Sequence, residues 1–180
     1  VQPDAAVLVL DLQRDFLEDA GRMPIARSQV TPLLAGANAV IDAAAARGTP
    51  VVYVLNEFPR SQFVLNFFRR GAAVAGTPGA ELDPRVHVSG NVRIPKEASD
   101  AFTNPSLDPW LREHGVKSII LLGVFAPHCV RATCAGALRR GYRVTVVGDA
   151  VAAATDAARD RAVEKMRAGG ASVVDAATIT

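Results

Sequence analysis

The sequence predicts an α/β fold: a three-layer α/β/α sandwich around a Rossmann-like, doubly wound and mostly parallel sheet of six strands. Three observations predict it. Short apolar runs rich in β-branched residues recur along the chain, Ala-rich stretches of helical length lie between them, and an acid or a glycine stands at several junctions. Strands alternating with helices pair in parallel through right-handed crossovers, with helices covering both faces.

The first run, Ala5-Ala6-Val7-Leu8-Val9-Leu10, stops abruptly at Asp11, the pattern of a strand buried on both faces. Thr31-Pro32 opens an Ala- and Leu-rich segment that closes at Gly48, which matches the cap, first-turn Pro and terminal Gly of a helix. Pro50-Val51-Val52-Tyr53-Val54-Leu55 is short, apolar and β-branched, hence a second strand. Residues 57–104 are broken by Gly71, by Gly76-Thr77-Pro78-Gly79 and by Ser89-Gly90-Asn91, and loops covering the site are expected there. Within them Phe63, Phe67 and Phe68 recur at helical spacing and are expected to pack a short helix onto the body or onto a partner subunit. The alternation then resumes. Lys117-Ser118-Ile119-Ile120-Leu121-Leu122-Gly123 is a strand, a helix runs to Gly141, and Tyr142-Arg143-Val144-Thr145-Val146-Val147 is another strand. Thr155-Asp156 caps a helix ending near Gly169-Gly170, and Ser172-Val173-Val174 is a last short strand.

A chain of 180 residues with 49% apolar residues is expected to fold as one domain over 1–180. The net charge of +2 comes from 20 basic and 18 acidic residues spread along the chain, so there is no footprint for nucleic acid, and no run reaches the length of a membrane span. The two cysteines, Cys129 and Cys134, stand a helical offset apart that puts them on different faces, and no disulfide is expected between them. Low cysteine usage and the lack of a signal-peptide pattern give a cytoplasmic expectation. No Gly-x-Gly-x-x-Gly follows the first strand and no phosphate-binding P-loop occurs, which disfavours a dinucleotide or ATP enzyme despite the layout.

In doubly wound sheets the ligand lies beyond the carboxyl ends of the strands. Asp11 and the loop from Gly123 to Cys129 belong at that rim. Singly, Asp11 can be a turn cap, Lys96 a solvated loop lysine and Cys129 a small core hydrophobe. Together they make chemistry. Cys129 follows Gly123-Val124-Phe125-Ala126-Pro127-His128 and opens a helix, where the dipole and a neighbouring cation, Lys96, favour the thiolate. Asp11 can accept the thiol proton and return it to a leaving amine.

At these residues the chain resembles the isochorismatase-like cysteine hydrolase superfamily, which includes nicotinamidases and N-carbamoylsarcosine, ureidoacrylate and biuret hydrolases. The resemblance rests on Val9-Leu10-Asp11-Leu12-Gln13-Arg14-Asp15-Phe16, on Gly76-Thr77-Pro78-Gly79-Ala80-Glu81-Leu82, on Pro95-Lys96 with Ser99-Asp100-Ala101-Phe102, and on Gly123-Val124-Phe125-Ala126-Pro127-His128-Cys129-Val130 with Thr133 and Ala137. It implies a catalytic triad of Asp11, Lys96 and Cys129 and a cis peptide at Val124-Phe125. It also implies an oxyanion hole from the backbone N–H groups of Phe125 and Cys129. The implied reaction is attack on a small, linear or cyclic amide, loss of the amine and hydrolysis of a thioester. A small-molecule substrate and a homo-oligomer, dimer or tetramer, follow as partners. Adjacency to the blocks assigns Phe16, Asn56, Phe58, Phe102 and Phe125 to the pocket. Arg60, Arg69 and Arg93 are candidates for a substrate carboxylate, though a surface role is the simpler reading of each.

The chain departs from the resemblance in two places. Where many members carry Thr and a polar residue before the cysteine, it has Ala126-Pro127, and Phe125-Ala126 resembles the true isochorismatases, which cleave a vinyl ether without a cysteine there. Ether hydrolysis with Asp11 as acid is therefore one alternative, and a catalytically silent binding protein is another. Nicotinamidases of this kind hold a divalent metal with an Asp-x-His pair after the second strand, where this chain has Leu55-Asn56-Glu57-Phe58-Pro59-Arg60. An enzyme with no metal and no cofactor is expected.

Overall fold

A computed structural model describes residues 4–180, so the first three residues of the expected domain lie outside the described residues. All six residues of β1 (Ala5–Leu10) are buried, because a strand flanked on both sides and covered on both faces has no wet position. β2 (Val51–Asn56) and β4 (Ser118–Val124) flank it and are buried throughout. With β3 (Val92–Lys96), β5 (Arg143–Ala152) and β6 (Ser172–Val174) they form a six-stranded sheet of order β3-β2-β1-β4-β5-β6 in which every pairing is parallel.

Alternate residues of β1 face two separate cores. Val7 and Val9 meet α1 (Arg14–Leu17), α2 (Arg27–Ala46) and α7 (Ala176–Ile179), while Ala6, Leu8 and Leu10 meet α4 (Leu107–Glu113), α5 (Arg131–Arg139) and α6 (Asp156–Ala168). These faces hold the layers together more than helix caps do. Thr155 caps α6 by accepting from the Ala158 N–H, a contribution of about 1 kcal/mol. Each fully buried Leu or Ile contributes about 1.5–3 kcal/mol, and Leu8, Leu10, Leu33, Ile41, Leu107 and Leu111 are all in that class.

The chain differs from its sequence reading in several elements, the short helices α1 and α7 among them. The middle region expected to be loops contains β3, which supplies the sixth strand. Its burial alternates and it carries Pro95, both properties of an edge strand, so it lacks the continuous apolar signal of the inner strands. α4 lies just beyond that region and was also not read from the sequence. α2 begins at Arg27 and runs through Pro32, rather than starting at Thr31. Tertiary bonds hold the extra turn: the Ala26 N–H donates to the Ala153 carbonyl, and Gln29 accepts from the Ala153 N–H and donates to Asp156. β5 continues past Val147 to Ala152, with a register shift against β4 between Leu121 and Gly123.

α3 (Phe63–Phe68) is the remaining helix, and none of its residues is buried. Phe63, Phe67 and Phe68 are 78%, 81% and 76% exposed, so of the two expected packings, onto the body or onto a partner subunit, the first fails. The Phe67 and Phe68 rings meet each other edge to face at 5.9 Å. Among the described residues no helix is long and apolar enough to cross a membrane.

Candidate active site

Four strand ends converge at one rim. β1 delivers Asp11, β2 ends in Asn56, β3 ends in Lys96, and β4 leads through the cis peptide Val124-Phe125 into a π-helical turn, Ala126–Val130, that carries Cys129. β1 and β4 are neighbours on either side of the reversal in strand order, where ligand crevices open in such sheets. Asn56 and Lys96 are register partners across β2 and β3, so their side chains start side by side. Cys129 therefore does not open the regular helix as expected. It sits in the wider turn before α5, a geometry found mostly as single turns at functional sites.

Two backbone features bring β1 and β4 together. Asp11 has a φ of 54°, a left-handed conformation that Asp tolerates better than most residues and that concentrates at functional sites. Gly123 has a φ of 122°, and a Cβ there would overlap the Leu10 carbonyl, so only glycine lets the strands approach.

The three sequence-predicted side chains meet. Lys96 Nζ lies 2.8 Å from Asp11 Oδ2 and 3.3 Å from Cys129 Sγ, and it donates to Asn56 Oδ1 at 2.7 Å. Asn56 Nδ2 stands 3.8 Å from the same sulfur. Asp11 and Lys96 side chains are sealed from solvent. The Asp11–Lys96 contact is an ion pair rather than an aligned hydrogen bond, since neither Asp11 oxygen has a hydrogen-bond partner among the described residues. That leaves carboxylate lone pairs free to take a proton.

Burial dominates the electrostatics. It pushes the Asp11 carboxyl above its ordinary value, with the Lys96 charge opposing. Burial would depress Lys96, but the charges of Asp11 and Cys129 together raise it, and it stays a cation. Burial and then the Asp11 charge push the Cys129 thiol up to about 11 against the opposing pull of Lys96. This direction opposes the expectation of a resting thiolate. A residue only 8% exposed loses more solvation than one shared cation returns, so it rests as a thiol beside the Asp11 carboxyl. Cys134 is 1% exposed in the second core, its thiol also raised to about 11 by burial. Both cysteines are free.

A cavity of about 280 Å³ opens over the sulfur, near the small end of the range of about 300–1,000 Å³ for ligand pockets. Phe16, Asn56, Phe58 and Phe125 line it with Cys129, and the Phe16 and Phe125 rings meet edge to face at 5.4 Å. Phe102 does not line it. That ring stacks on Tyr142 at 5.9 Å in the second core beneath the Arg140 guanidinium, because β3 and the turn after it lead the chain to the other face of the sheet. Of the three arginines, Arg69 lines the cavity, Arg60 donates to the Ala75 and Gly76 carbonyls, and Arg93 is exposed on the edge strand.

The sequence reading missed the residues that hold the rim. Gln13 donates to the carbonyls of Asn56 and Ala80 and accepts from the Asn56 N–H, tying β2 to the cover. Asp15 accepts from the N–H groups of Ala73 and Arg22, and a Cβ at Gly79 would overlap its carboxylate. Both lie in the block 9–16 that carried the resemblance, so their signal was present but their partners were not. Met23, Glu97, Ser99 and His128 also line the cavity. Among the described residues no three His, Cys, Asp or Glu side chains converge as metal ligands. The stretch after β2 supplies buried Asn56 and Phe58 around an exposed Glu57, not a donor set.

Comparison with known proteins identifies the family and the fold. The isochorismatase domain model matches residues 5–178. A protein of Arabidopsis thaliana named a probable inactive nicotinamidase is 31% identical over 163 residues, 84% of this chain and 82% of its own length. The crystal structure of the Pyrococcus horikoshii pyrazinamidase in complex with zinc superposes with a TM-score of 0.85 at 30% identity, covering 96% of this chain and 99% of that one. N-carbamoylsarcosine amidase from Thermoplasma acidophilum gives 0.82 at 32% identity and covers 96% of each chain.

Proposed function

The chain belongs to the isochorismatase family of hydrolases, and from that premise we propose that it is a cysteine-dependent hydrolase of a small, non-peptide amide. One observation carries the reading: the Cys129 thiol faces a small apolar cavity while touching a sealed Lys96 that is itself paired with a sealed Asp11.

In the proposed cycle the amide carbonyl enters over Cys129. Asp11 takes the thiol proton as the S–C bond forms, so the high thiol value is no obstacle: the proton moves only when the nucleophile is used. The backbone N–H groups of Phe125 and Cys129 receive the oxyanion, and Lys96 keeps the Asp11 carboxylate and the reacting sulfur in one field. Asp11 returns the proton to the departing nitrogen, the C–N bond breaks, and a thioester remains. Water attacks it with Asp11 again as base, and the acid leaves as the thiol is restored. Asn56 orients Lys96 and the sulfur. The names of the relatives, a pyrazinamidase and an N-carbamoylsarcosine amidase among them, are in keeping with C–N bond hydrolysis, and no step is routed through a metal.

Turnover of a panel of ureido acids, maleamate, biuret and nicotinamide, read as ammonia release, tests the reading. Cys129→Ala is expected to lower amide turnover by about 10⁴-fold or more. The raised value of Asp11 favours one other reading, in which that carboxyl protonates a vinyl ether. Ether hydrolysis that survives Cys129→Ala would replace the amidase assignment with it. We also propose a homo-oligomer whose contact includes the exposed phenylalanines of α3, an apolar face that the described residues leave uncovered.

A further inference from the structure

Arg69 is a cation in the cavity that the cycle above does not use. It closes α3 and lines the cavity together with Cys129. Its guanidinium lies over the Phe58 ring, Cζ 3.7 Å from the centroid, which occupies one face of the group and leaves the edge that carries its N–H donors. Nη1 donates to Gln62 Oε1 at 3.1 Å. No other acceptor of that guanidinium occurs among the described residues, and none of their carboxylates pairs with it. Glu97 also lines the cavity, but the Gln62 amide stands between the two charges, its Nε2 donating to Glu97 Oε2 at 3.4 Å. The arrangement is a half-buried, oriented cation, facing a mostly apolar space, with no counter-charge among the described residues.

We infer that Arg69 is the specificity residue of this site: it receives a carboxylate at the end of the substrate away from the scissile amide, so the preferred substrates are small amides that also carry a carboxylate. This rests on the amidase reading for its chemistry. The guanidinium fork matches a carboxylate in a bidentate contact, made with the N–H donors that Gln62 leaves unused. A phosphate dianion fits less well, because one guanidinium leaves half its charge uncompensated in a cavity that also contains Glu97. Stacking on Phe58 holds the fork in place before the substrate arrives, so little ordering remains to oppose binding. A neutral amide leaves Arg69 with no such partner, and that difference is the source of the selectivity.

The test compares succinamate, maleamate and N-carbamoylglycine, each against its own methyl ester. The wild type is expected to favour acid over ester by about ten- to a hundredfold in kcat/KM, the range for a hydrogen bond to a charged group, with most of the difference in KM. Arg69→Gln is expected to bring the ratio down to about one, and Arg69→Lys, which keeps the charge without the fork, to recover part of it. An equal fall for acid and ester, leaving the ratio where it was, overturns the assignment. Calorimetry separates this outcome from failure of the amidase reading. If no amide turns over, but succinate binds the Cys129→Ala protein and not the Cys129→Ala, Arg69→Gln protein, Arg69 keeps its role and the amidase reading falls. If succinate binds both proteins alike or neither, with no acid preference in turnover, the Arg69 assignment falls.

Discussion

At the carboxyl-end rim of the sheet, Asp11 and Lys96 are sealed from water and each answers to partners on other strands, whereas α3 in the cover exposes Phe63, Phe67 and Phe68 almost completely. The rim is polar where a core is usually apolar, and the cover is apolar where a surface is usually polar. Both arrangements are costly for an isolated chain. The difference lies in what offsets the cost. At the rim the offset is internal, a closed set of charges and hydrogen bonds built from four strand ends. At α3 no described residue supplies it, and a second subunit is the proposed source.

That contrast sets the order of expected effects. Substitution of Cys129 is the largest, as described above. Asp11→Asn removes the proton acceptor and should lower amide turnover by about 10²- to 10⁴-fold, with its sharpest signature in the pH profile of the wild type. Because burial raises the Asp11 carboxyl, activity is expected to fall as pH drops through a value above the ordinary 3.8. Above that value it should stay level until the Cys129 thiol ionises at about 11. A kcat/KM that climbs tenfold per pH unit from 7 to 9 would mean that the thiolate must form first, and the base role of Asp11 would be lost.

Lys96→Met tests the closed charge set through stability rather than rate. It leaves Asp11 buried without its counter-charge, at a cost of about 3–5 kcal/mol, measurable by urea unfolding. The double substitution with Asp11→Asn should cost less than Lys96→Met alone, because no unpaired charge then remains. If the two costs simply add, the rim is not electrostatically closed. Phe67→Ser is expected to have the smallest effect on the protomer, within about 0.5 kcal/mol, as for other exposed positions. Its effect should appear in native mass or light scattering as a lighter species, and an unchanged mass would remove α3 from any subunit contact.

Legibility in the sequence followed burial pattern. β1, β2 and β4 were readable because strands buried on both faces must be continuously apolar, and Asp11 stood out as the acid that ends such a run. β3 was not, since an edge strand with Pro95 and alternating exposure has the same local appearance as a loop. Cys129 was legible, but the burial that opposes its ionisation was not: the sequence names a cation and a helix, and it does not report how deeply the residue is buried. Phe102 was misplaced for a related reason, because adjacency to Lys96 in the chain does not say on which face of the sheet a side chain emerges.

By itself the sequence determined the α/β class, most of the strands, and three chemically suited side chains at distant positions, because periodicity and residue type are local properties. Only the tertiary structure decided that Asn56 joins them, that Gln13 and Asp15 hold the rim to its cover, that Arg69 rather than Arg60 or Arg93 faces the cavity, and that burial raises the Cys129 thiol. Each of these depends on distance and desolvation between segments remote in sequence, and those quantities exist only once the strands have paired.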